Sequence, residues 1–61
     1  MPIIRIEMME GRTVEQKRAL AKELTDAFVR TCDGKADSVY VVIDDVKKED
    51  WAVAGKLVID R

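Results

Sequence analysis

The sequence has no histidine, one cysteine, one proline and three glycines in 61 residues, and a single residue each of Phe, Trp and Tyr. Each shortage removes a class of chemistry. Without histidine there is no Ser-His-Asp or Cys-His relay. With one thiol, Cys32, no internal disulfide forms, and only carboxylates remain as metal ligands. The acidic run DDVKKED lacks the spacing of a Ca²⁺ loop and reads as a solvated loop. No glycine-rich turn precedes a helix, so there is no phosphate cradle. These absences lead us to expect no metal site.

Long apolar runs are also missing. Nothing approaches the ~20 residues of a membrane span, and Arg5 and Glu7 interrupt the N-terminus too early for a signal-peptide core. Eleven basic and twelve acidic residues, interspersed, give a formal net charge of −1. Such a balance offers no basic stripe to nucleic acid and no polybasic anchor to a membrane. A cytoplasmic location is expected.

What is present is periodicity. PIIRIEM, Pro2 to Met8, alternates: Ile4, Ile6 and Met8 face one way, Ile3, Arg5 and Glu7 the other. TVEQ follows with the capping-box pattern, Thr13 as N-cap and Gln16 three residues on. From Val14 to about Cys32, Leu20, Leu24, Ala27, Phe28 and Thr31 recur at helical steps, and Asp33-Gly34 is the expected stop, with Gly34 in the left-handed conformation. SVYVVID alternates again, and WAVAGKLVI, turning at Gly55, reads as a short hairpin.

The expected fold is α+β: one domain, residues 1–61, with a βαβ unit, a parallel two-stranded core and a short C-terminal hairpin. A chain this short hides only about 60% of the surface of its unfolded form. The helix covers one sheet face, so the other face and both edges stay open. With disulfides and metals excluded, self-association is the remaining stabilising device.

The chemistry that remains lies at the N-terminus. While Met1 is attached, Pro2 is an imide and a plain strand-starting residue. Once Met1 is removed, Pro2 is a secondary amine, a base suited to moving a proton next to a carbonyl. Arg12, in the loop ahead of the helix, offers a planar fork for a carboxylate. Read from spacing alone, a surface charge is the favoured reading of Arg12.

The stretch PIIxIxxxEGRTxEQK at Pro2 to Lys17, SVxVxI at Ser38 to Ile43, and an aromatic before AVAGK at Trp51 to Lys56 together resemble the 4-oxalocrotonate tautomerase family. That resemblance implies a cofactor-free isomerase acting on a small carboxylate of the 2-hydroxymuconate type, built as a homohexamer, a trimer of dimers, with a mixed hexamer as the variant. It implies Pro2 as acid/base and Arg12 as carboxylate binder. Trp51 stands in for a pocket phenylalanine, and Ile3, Met9, Ser38 and Val53 fall at pocket walls. Tyr40 occupies the place of a second arginine, and brings one hydrogen bond without a charge.

Simpler roles exist for several of these: Tyr40 as sheet cover, Trp51 as interface, Ser38 as a loop cap, Cys32 as packing. Two other functions stay open. One is a hydratase or dehalogenase of 3-haloacrylate-like acids, and the other is a non-catalytic anion-binding module if Met1 is retained.

Overall fold

The computed structural model describes residues 1–61. Strand β1 (Ile3–Met9) leads into helix α1 (Val14–Cys32), and the chain returns as β2 (Tyr40–Val46). A short arm follows, in which β3 (Ala52–Val53) and β4 (Lys56–Leu57) form an antiparallel hairpin. One-turn 3₁₀ helices at Ala36–Ser38, Lys48–Asp50 and Val58–Asp60 link these elements.

β1 and β2 pair in parallel, with Ile3 beside Tyr40 and Met9 beside Val46. The strand starts one residue later than the alternation suggests, since Pro2 has no N–H to contribute, and at its other end it runs one residue further, where Met9 pairs with Val46. Pro2 still joins the ladder through its carbonyl, which accepts from the Tyr40 N–H at 2.9 Å. Ile4, Ile6 and Met8 are half-buried towards α1, whereas Ile3, Arg5 and Glu7 are exposed on the opposite face, as the period of two requires.

α1 begins where its capping box stands. The Gln16 N–H donates to the Thr13 hydroxyl at 3.1 Å, and the Thr13 N–H donates to Gln16 Oε1 at 2.9 Å. The half-buried stripe runs Lys17, Leu20, Ala21, Leu24, Thr25, Ala27, Phe28 and Val29. Thr31 does not belong to it: it is exposed, and its hydroxyl bonds the Ala27 carbonyl at 2.7 Å. At the helix end Asp33, not Gly34, takes the left-handed conformation, with φ 56°. An aspartate tolerates that region through its short polar side chain. Gly34 is needed for space instead, since a Cβ there would lie 3.1 Å from the Phe28 ring.

Lys17 of α1 pairs with Asp45 of β2 across the helix–sheet contact. On the helix surface Lys22 donates to Asp26 at 2.7 Å, a bond that, with the aspartate's charge, raises the lysine's pKa. The arm turns on Ala54 and Gly55, both at positive φ (53° and 81°), the backbone of a tight two-residue hairpin. Its end folds back through a bond from the Val58 N–H to the Trp51 carbonyl at 2.8 Å.

No residue is fully buried in the single chain. The radius of gyration is 14.6 Å, against about 10.5 Å for a compact chain of this length. The helix shields one sheet face and nothing shields the other.

Candidate functional site

The expected site residues fall into three groups. Pro2 and Ile3 at the start of β1, with Ser38 and Tyr40 at the start of β2, share one end of the sheet, because parallel strands begin at the same end. Met9 and Arg12 lie at the other end, where β1 hands over to α1. Trp51 and Val53 sit on the arm that leaves the Met9 end after Val46. Pro2 and Met9 are therefore a whole strand apart, roughly 20 Å at ~3.3 Å per residue, and no pocket closes within one chain.

At the first end, Tyr40 is exposed on the face opposite α1, and its backbone is locked beside Pro2 by the 2.9 Å bond already described. Ser38 spends its hydroxyl on the Lys35 carbonyl at 2.9 Å, closing the 3₁₀ turn before β2. Met1 is 82% exposed. While it remains, the Pro2 nitrogen is part of a peptide bond and carries no basic lone pair.

At the second end, Gly11 holds φ 127°, a conformation that L side chains rarely adopt, and so turns the chain sharply ahead of the helix. Arg12 follows. Its guanidinium donates to the Met9 carbonyl at 3.4 Å and has no carboxylate partner, so most of its fork is free for an anion. Glu10 beside it accepts from the Lys48 N–H at 3.3 Å and moors the arm to this end of β1. Sequence reasoning did not single out Glu10, because a bond across 38 residues leaves no local pattern.

On the arm, Trp51 is half-buried and Val53 exposed. Nowhere do three or more Asp, Glu or Cys side chains gather to hold a metal ion. Cys32 is exposed at the end of α1, with the Thr31 hydroxyl 3.6 Å from its sulfur.

Comparison with known proteins gives consistent likenesses. The family model described as "Tautomerase enzyme" matches residues 2–61. The 2-hydroxymuconate tautomerase of Bacillus subtilis is 40% identical over 60 residues, covering 98% of this chain and 97% of the relative. A solved 4-oxalocrotonate tautomerase isozyme from Methylibium petroleiphilum superposes with a TM-score of 0.92 at 43% identity, over 98% of this chain and 94% of that one. The heterohexameric 4-oxalocrotonate tautomerase from Chloroflexus aurantiacus gives 0.89 at 35% identity, over 98% and 97%.

Proposed function

This chain belongs to the tautomerase family, and from that premise we propose that it is a cofactor-free keto–enol isomerase of 2-hydroxymuconate-like acids, with Pro2 as its acid/base. The observation that carries the reading is the near full-length likeness to a 2-hydroxymuconate tautomerase, within a family match that begins at Pro2. The exposure of Met1 supports its removal by an aminopeptidase.

In this reading the freed Pro2 nitrogen accepts the proton of the 2-hydroxyl group as the C2 carbonyl forms. The resulting ammonium returns a proton to a carbon of the delocalised dienolate, so the substrate's formula is unchanged and the amine is regenerated. Arg12 holds a substrate carboxylate through charged hydrogen bonds. Tyr40, beside Pro2, donates one neutral hydrogen bond to the developing enolate oxygen. Ile3, Met9, Ser38, Trp51 and Val53 form the walls.

Pro2 and Arg12 stand at opposite ends of β1, so a site using both is shared between subunits. A hexamer of identical chains is the assembly proposed. Ketonisation of 2-hydroxymuconate, followed by the loss of its ultraviolet absorbance, tests the reading. Activity should depend on Met1 removal, seen by intact-mass measurement. It should also climb with pH as the Pro2 ammonium loses its proton, at or below the ~7.7–8.0 of an ordinary α-amino group. Equal rates for the trimmed wild type and Pro2→Ala would refute the proline mechanism, and retained Met1 on native material would leave an anion-binding module.

A further inference from the structure

Glu10 follows β1 and grips the returning chain at two points. Its backbone N–H donates to the Val46 carbonyl at 2.9 Å, and its side-chain Oε2 accepts from the Lys48 N–H at 3.3 Å. The two bonds bracket Lys47, where the chain leaves β2 and enters the one-turn helix Lys48–Asp50. The first N–H groups of a helical turn have no partner within it and are commonly met by the side chain at the N-cap. Lys47 stands at that position and supplies no such bond. The acceptor comes instead from 38 residues upstream.

A carboxylate two residues ahead of Arg12 has a cation within easy reach, yet Glu10 forms no ion pair. Its oxygen is spent on a backbone amide. From the gripped turn the chain runs directly to Trp51, which is half-buried and whose carbonyl accepts from the Val58 N–H at 2.8 Å. Trp51 is thus fixed on both sides, by the turn that Glu10 holds before it and by the folded chain end after it.

We propose that Glu10 is a positioning residue: through the Lys48 N–H it sets the direction in which the arm leaves the sheet, and so holds Trp51 where it walls the substrate's space. That Trp51 lines this space rests on the proposed function, whereas the tether itself does not. The role is one of reach and not of charge. Glutamine keeps an acceptor oxygen at the same reach. Aspartate keeps the charge but is one methylene shorter, and the bond to be spanned is already long at 3.3 Å. A tether therefore ranks glutamine above aspartate at this position, while an electrostatic effect on Arg12 ranks them the other way.

Trp51 is the only tryptophan, so its emission reports on the arm without a label. Glu10→Ala, Glu10→Asp and Glu10→Gln are each compared with wild type by acrylamide quenching of that emission, and by KM and kcat for 2-hydroxymuconate ketonisation. In the Ala and Asp variants the emission should shift to the red and quench more readily. With the arm docked in only a fraction of molecules, KM should rise about fivefold or more while kcat stays within about twofold of wild type. The Gln variant should match wild type in emission and in KM. The pH profile of kcat, set by Pro2 at the far end of β1, should be common to all. Circular dichroism and sedimentation verify that each variant keeps its helix and assembly, and if the Ala variant unfolds, the order of Gln and Asp still decides. Unchanged Trp51 emission in the Asp variant, a Gln variant as impaired as Asp, or a loss confined to kcat overturns the inference. If the trimmed wild type ketonises nothing, the proposed function fails, while the emission comparison still decides the tether.

Discussion

At the scale of the residue, Arg12 has the clearest physical assignment. Its guanidinium is exposed, unpaired with any carboxylate, and follows a glycine whose backbone no other residue adopts without strain. A charged hydrogen bond to a carboxylate is worth about 1.5–3 kcal/mol, which corresponds to roughly a ten- to hundredfold change in an equilibrium. Arg12→Ala should therefore raise KM by about that factor in the ketonisation assay, with kcat less affected. Arg12→Lys should recover only part, since an ammonium cannot present the two parallel donors of the fork. An unchanged KM for Arg12→Ala would remove it from the site. Arg12 was legible in the sequence as a loop cation. Its distance from Pro2 was not, because separation across a strand depends on where β1 ends, not on residue type.

At the scale of the element, α1 was the most legible part of the chain, since capping and helical spacing are local properties. Thr13 and Gln16 form both bonds that the TVEQ pattern anticipates. Loss of such a cap costs about 1 kcal/mol, so Thr13→Ala should lower the melting temperature of this small domain by about 4–8 °C, readable by circular dichroism, while leaving subunit contacts in place. The helix stop was legible only in position. A glycine next to an aspartate suggested which residue turns left-handed, but Phe28 claims the space beside Gly34 and leaves the turn to Asp33. Strand register was not legible. Alternation assigned the faces correctly, yet the pairing of Ile3 with Tyr40 joins residues 37 apart, and nothing local encodes it.

At the scale of the whole molecule, surface decides the matter. The single chain exposes 4893 Å², whereas a compact protein of this mass exposes about 4,000 Å². The excess, roughly 900 Å², resembles the share one partner contributes to a standard interface, ~800 Å². Ile3, Tyr40, Val53, Leu57 and Ile59 are among the large side chains left open. In the proposed assembly folding and association are linked, and the melting temperature should rise with protein concentration, as mass action requires. Specific activity should fall on dilution with the same midpoint as dissociation, measured by sedimentation. A melting temperature independent of concentration over a hundredfold range would show that the chain stands alone.

Met1 stands clear of the fold, and Pro2 enters the ladder only through its carbonyl. In the proposed mechanism, removal of Met1 would convert an amide into an amine without breaking a backbone hydrogen bond. Maturation and architecture are uncoupled at this terminus. Under the proposed mechanism a chain that keeps its first residue is a matched blank: the same scaffold with its base masked.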